Sequence, residues 1–347
     1  MTRERTGVCM HLSTQTSTGW PLFVLVMTRS FDPTAQVPFE ECHAAWSSET
    51  PGSIRDMVAS EPVRGVTRFA RGAGSPAGAV LHHHVFESEP GDSAAVASPT
   101  IVALHGVRGH GARWRRLAER HTSGLKVVAF DLRGSGQSTW LPPWTLEQHS
   151  ADVLQTMDEL ELSTVDLIGH SFGGTVALTV ANLLPQRVRR LVLLDPALDL
   201  NPEYVLHRAT RELTPPSYAD HGEARQDRAA QWPDAKEPEA IDEEVADHLV
   251  ATDDGRYRWR FSAAAVVTAF SEMTRPAPLP PSGVPTLLVI AERGTAVEPS
   301  YLESLSYHQT KGDRSDLDVT VVRLDSGHTV YVDRPVETGA LVQEFLG

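Results

Sequence analysis

The sequence predicts an α/β fold: a mostly parallel, doubly wound sheet with helices on both faces and an inserted helical cap. Three observations carry this reading. Short apolar runs of β type recur at 101–104, 127–130, 165–168, 191–194, 286–290 and 319–324. The first four are mostly apolar, which fits strands covered on both faces. Helical patterns separate several of them, as in βαβ units. Between the fourth and fifth runs lie roughly ninety residues, against two to six in an ordinary βα loop, so a subdomain is inserted there.

In chain order, residues 1–60 read as an N-terminal extension, partly disordered. An apolar run at 20–27 follows Arg3 and Arg5. The next residues, Thr28-Arg29-Ser30-Phe31, make a poor cleavage site, so a secretory signal is not the favoured reading and the cytoplasm is expected. Met27 is a candidate alternative start. The core is expected over 61–197 and 281–347, with the helical cap over 198–280. Strands at 66–69 and 79–86 flank a Gly/Pro/Ser turn. A helix begins after Thr145, whose hydroxyl can cap it while Gln148 reaches back. Leu146, Val153, Leu154, Met157 and Leu160 then share one helical face. Further helices are expected at 175–184, near 239–250 and 261–273, and at 336–346.

Composition narrows the function classes. With 41% hydrophobic and 22% charged residues, the 347-residue chain can bury a sizeable core. No apolar run reaches the ~18–20 residues of a membrane span. A net charge of −14 argues against nucleic acid and anionic lipid, and does nothing to favour an anionic substrate. Two cysteines exclude a disulfide framework or thiolate metal cluster. His82-His83-His84 suggests metal binding, but strand alternation turns His83 away and no carboxylate pattern stands beside it, so no metal is expected. Tyr257-Arg258-Trp259-Arg260-Phe261 reads as packing of the insertion. No cofactor is expected, and nothing sets an oligomeric state.

The strongest motif is Gly169-His170-Ser171-Phe172-Gly173, between an apolar strand and a helix. A serine on so sharp a turn needs glycines two residues either side, because side chains there would collide. The turn exposes the hydroxyl at a helix N-terminus, where backbone N–H groups can stabilise an oxyanion. The Phe172 N–H is one expected donor. The turn His105-Gly106-Val107-Arg108-Gly109 offers the Val107 N–H as the second. Asp131-Leu132-Arg133-Gly134-Ser135-Gly136 reads as a structural turn, with Arg133 fixing it rather than clamping substrate. His328 follows the last strand as Ser326-Gly327-His328 and can serve Ser171 as general base.

With these pieces together, residues 66–347 resemble the α/β-hydrolase superfamily. The resemblance implies Ser171 as nucleophile, His328 as base, and the insertion as a cap over the site. One departure stands out: relatives place the triad acid after the penultimate strand as G-x-x-D, where this chain has Ala291-Glu292-Arg293-Gly294. Some haloalkane dehalogenases take the acid one strand earlier. Here that strand ends in Leu194-Asp195-Pro196, so Asp195 is the first choice and Glu292 the second. The expected activity is a serine hydrolase acting on a carboxylic ester of a small apolar substrate. A lyase, perhydrolase or C–C hydrolase of the same fold is the alternative. Gly294 also leaves open a catalytically silent binding protein. The cap is expected to have an apolar, aromatic interior and an acidic exterior over 237–254.

Overall fold

The computed structural model describes residues 78–87, 99–122, 124–311 and 314–347. The N-terminal extension, Met27 and the strand expected at 66–69 lie outside them. Strands β1 (His83–Glu87), β2 (Ile101–Leu104), β3 (Lys126–Phe130), β4 (Val165–His170) and β5 (Val188–Leu194) form one side of a sheet. After the insertion, which holds the short strands β6 (Leu249–Ala251) and β7 (Tyr257–Trp259), β8 (Thr286–Ala291) and β9 (Val319–Leu324) complete it. The sheet order is β1-β3-β2-β4-β5-β8-β9. Only β1 runs antiparallel to its neighbour; the other pairs are parallel.

Period-two alternation divides the core between the two faces. Val102, Leu104, Val128, Phe130 and Leu167 pack on one side with Val153, Met157 and Val176. Ile101, Ala103, Val127 and Ala129 pack on the other with Trp114, Val342 and Leu346. Helices α1 (Leu146–Glu159) and α2 (Phe172–Leu183) follow β3 and β4. As the sequence predicts, the Thr145 hydroxyl accepts the Gln148 N–H at 3.3 Å. The Gln148 amide also donates to Asp152 Oδ1 at 2.9 Å.

Between β5 and β8 the chain forms α3 (Pro202–Glu212), α4 (His221–Gln231), α5 (Glu239–His248), the antiparallel β6–β7 pair and α6 (Ala263–Glu272). Helices α7 (Pro299–Thr310), α8 (Val330–Asp333) and α9 (Pro335–Leu346) complete the fold. The sequence reading named neither α3, α4 nor α7. It also put the acidic stretch 237–254 on the outside, which holds for Glu239, Asp242, Asp247, Asp253 and Asp254 but not for Glu244. Glu244 is buried and receives Arg113 through Nε at 3.0 Å, and its Oε2 lies 3.0 Å from His110 Nε2. Arg116 binds Glu243 at 2.8 Å and Glu237 at 2.9 Å, and Arg115 binds Asp247 at 2.9 Å. The acids of α5 thus dock on arginines of the turn after β2. Their interaction is stronger in that half-buried seam than in water.

Four histidines are kept neutral by their own burial. Burial pushes His105 down to about 3 and His149 to about 4, and holds His170 and His248 well below the ordinary value. Each therefore takes up a proton on unfolding once the pH is below the unfolded value of ~6.5. Their contribution is complete above ~6.5 and is lost as the pH falls toward the folded values. Together they are expected to remove on the order of 5 kcal/mol between pH 7.5 and 5.5, at about 1.4 kcal/mol per unit each. Urea unfolding midpoints at those two pH values measure this. Equal midpoints would refute it.

Candidate active site

Ser171 sits between β4 and α2 with φ 53° and ψ −124°. Its flanking glycines are required by contact. A Cβ at Gly169 would lie 2.3 Å from the Gly173 carbonyl oxygen, and one at Gly173 2.3 Å from that of Leu104. The glycines supply room, but the left-handed backbone is carried by the serine itself, a strain of about 1–3 kcal/mol. His328 lies in the turn between β9 and α8, and its Nε2 is 2.9 Å from Ser171 Oγ. Its Nδ1 is 2.6 Å from Oδ2 of Asp195, just past β5. Asp195 is 1% exposed, has φ 42°, and accepts the Ala291 N–H on Oδ1 at 3.0 Å. With the carboxylate ionised, Nδ1 carries the proton and Nε2 is free to accept the serine hydrogen.

Glycine at 294 has a direct geometric reason. A Cβ there would stand 2.7 Å from Asp195 Oδ2, so the carboxylate occupies the space a side chain at 294 would need. Glu292, the second choice for the acid, is exposed just past β8 and is not part of the cavity wall around Ser171.

The turn after β2 lies against this site. His105 donates from Nδ1 to the Gly106 carbonyl at 2.7 Å and accepts the Leu132 N–H on Nε2 at 2.9 Å. A neutral ring, as burial dictates, is what this double role needs. Val107 lines the cavity. Phe172 opens α2, so its N–H has no intrahelical acceptor. His170, which the sequence reading quoted without a role, donates from Nε2 to the His328 carbonyl at 2.9 Å and so braces the histidine turn. Arg133 meets Asp152 in two hydrogen bonds of 2.6 and 2.7 Å, the structural use expected of it.

Of the two reasons for setting aside the histidine triplet, the turning away of His83 holds, but a carboxylate does stand beside the other two. The Asp131 carboxylate lies 3.0 Å from His82 Nδ1 and 3.6 Å from His84 Nε2. These three residues could hold a divalent cation, with ligand atoms all within 4.8 Å. Asp131 is also tied to the backbone, accepting the N–H groups of Gly111 at 2.6 Å and Gln137 at 2.9 Å. Hydrogen bonds from His84 and these amides hold its carboxyl below the ordinary range, against the opposing effect of burial.

Ser171 and His328 open onto a cavity of about 590 Å³, within the range of small-molecule sites. Its wall departs from the apolar lining expected. Leu200, Phe270 and Met273 share it with arginines 108, 113, 208, 211, 228 and 293. The arginines come from the turn after β2, from α3 and α4, and from the loop after β8. No single sequence segment reveals them.

Residues 101–341 match the alpha/beta hydrolase family. The chain belongs to that family. This α/β-hydrolase is 37% identical over 248 residues to the lipase LipV of Mycobacterium tuberculosis, covering 71% of this chain and 93% of that protein. It is 27% identical over 255 residues to the mouse (Mus musculus) sn-1-specific diacylglycerol lipase ABHD11, covering 72% of this chain and 81% of the relative. Among solved structures, E-2-(acetamidomethylene)succinate hydrolase shares the fold with a TM-score of 0.61 at 24% identity, over 72% of this chain and 91% of that one. Among the described residues of this hydrolase, no helix is long and apolar enough to cross a membrane.

Proposed function

We propose that this α/β-hydrolase is a serine hydrolase that cleaves a carboxylic ester through an acyl-enzyme. The observation that carries the reading is the continuous chain Ser171 Oγ to His328 Nε2, 2.9 Å, and His328 Nδ1 to Asp195 Oδ2, 2.6 Å. These are hydrogen-bond distances suited to proton transfer. His328 takes the serine proton as Oγ attacks the ester carbonyl. The tetrahedral intermediate places its oxyanion on the N–H groups of Phe172 and Val107. Asp195 holds the imidazole in the required tautomer and stabilises the imidazolium. The imidazolium then protonates the departing alcohol, and water activated by the same histidine releases the acid. The 37% identity to a protein named a lipase supports the ester class. The segment from α3 to α6 acts in this reading as the cap that selects substrate.

The carboxylate beside His328 speaks against the catalytically silent protein that Gly294 left open. The test is a panel of p-nitrophenyl esters of graded acyl length, run beside fluorophosphonate labelling. Time-dependent labelling together with turnover of short esters is the expected result. No labelling and no turnover would refute the proposal.

A further inference from the structure

The arginines of the cavity are not all matched by acids. Arg293 is paired with Asp234 at 2.9 Å and also with Asp325, and Arg113 is held by Glu244. Arg228 is 4% exposed, with its guanidinium 4.4 Å from the Trp259 ring centre and 5.0 Å from that of Trp232. It donates to Gln231 at 3.1 Å, yet its Nε and Nη2 are buried without a hydrogen bond. Nη2 stands 3.1 Å from Glu244 Oε1, an ion pair without hydrogen-bond alignment. Arg108 is in a similar state. Its one ion pair, to Glu212, is long at 3.4 Å, and its Nε and Nη2 are likewise buried and unbonded.

A buried N–H of a charged group without an acceptor is costly. Two such arginines on one cavity wall, beside a third, repel one another. Arg113 and Arg108 both act on Arg228, which burial and that repulsion bring down to about 10 despite Glu244. Glu244 stands against Arg228, and the acids of the cavity wall are Glu212, Asp227, Asp234 and Asp333. Of these Asp234 is taken by Arg293, and Asp227 already accepts from the Tyr218 hydroxyl at 2.6 Å and from Gln231. Arg208 and Arg211 add positive charge on the same wall with no ion-pair partner among the described residues. Arg108 also holds φ 60°, a backbone region that favours glycine. A long cationic side chain kept in that conformation, one residue beyond Val107, lines the same cavity as Ser171 and His328.

We infer that the substrate carries an anionic oxygen group, a carboxylate or a phosphate, bound by Arg108 and Arg228 a few bonds from the scissile ester. This rests on the ester-hydrolase reading and adds its substrate class. The planar guanidinium fork matches paired anionic oxygens, and the ligand supplies both the missing acceptors and the missing countercharge. The overall charge of −14 does not speak against this, because on the cavity wall six arginines stand with four carboxylates.

The test separates binding from catalysis. Glutarate, glycerol phosphate and inorganic phosphate are titrated into Ser171→Ala by calorimetry and thermal shift, with a neutral diol as control. At least one anion is expected to bind and raise Tm, and the favoured probe assigns carboxylate or phosphate. Arg108→Gln or Arg228→Gln in that background is expected to weaken binding roughly 10- to 100-fold, the size of one charged hydrogen-bond pair. With Ser171 intact, the ratio of kcat/KM for mono-p-nitrophenyl glutarate over p-nitrophenyl butyrate is expected to fall by the same factor in either arginine variant. Should Arg228→Gln fail to fold, Arg108→Gln, more exposed and weakly paired, decides. No binding by any anion, with neutral esters preferred, overturns the inference while leaving the hydrolase reading intact. Anion binding without turnover of any ester would do the reverse.

Discussion

Ser171→Ala is expected to lower kcat by about 10⁶-fold, the loss typical when the nucleophile of a coupled triad is removed. What remains is the ~10³–10⁴ over water that a binding site and oxyanion donors give alone. Folding should be almost untouched. Alanine keeps the Cβ, so the left-handed backbone at φ 53° is as strained as before and no packing atom is lost except Oγ. Ser171→Gly separates the two roles. It is equally inactive, but glycine adopts this backbone freely, so the variant is expected to gain about 1 kcal/mol in urea unfolding. Turnover of p-nitrophenyl esters and covalent labelling check the first claim, and unfolding midpoints the second. Wild-type turnover in Ser171→Ala would remove the mechanism altogether.

The site was legible where chemistry leaves a local steric trace. Gly169 and Gly173 are demanded by contacts of 2.3 Å, so their spacing around Ser171 survives in the bare sequence. The strands were legible because residues such as Ile101 and Val102 pack into cores on opposite faces, which leaves no polar position in the run. The Thr145 cap is likewise local. Helices α3 and α4 leave caps at Asn201 and Asp220 but no apolar face, since α3 buries only Val205 and Glu212, and α4 only Ala224 and Arg228. The cavity's character was illegible for another reason. Arg113 and Arg228 meet Glu244 only after folding, as Arg108 meets Glu212, and this pairing decides which cation is satisfied. A composition count scored the acids of α5 as exterior, although Glu244 is among the most buried charges. Asp131 escaped the histidine triplet's reading in the same way, being nearly fifty residues distant in sequence and 3.0 Å away in space.

Asp195→Asn is expected to cost about 10⁴ in kcat with KM little changed, as an interaction realised in the transition state is lost. The reason lies in which atom faces which. Asp195 Oδ1 accepts the Ala291 N–H, so an asparagine there must keep its oxygen on that side and turn its NH₂ toward His328. The ring can then only accept at Nδ1. Its proton moves to Nε2, which faces Ser171 with a donor where an acceptor is needed. Glu292→Gln, by contrast, is expected to do little. Gly294 provides the complementary arm. In the wild-type background Gly294→Asp sets its Cβ 2.7 Å from the Asp195 carboxylate and should impair activity by crowding and like-charge repulsion. With Asp195→Gly the space is cleared, and the left-handed backbone at φ 42° is one glycine accepts. The double variant is therefore expected to recover roughly 10- to 100-fold over Asp195→Gly alone, a non-additive result that only neighbouring groups in one interaction produce. Steady-state kinetics on a short p-nitrophenyl ester measures all five variants. If Glu292→Gln proves damaging and Asp195→Asn silent, the acid is misassigned while the Ser171–His328 pair stands.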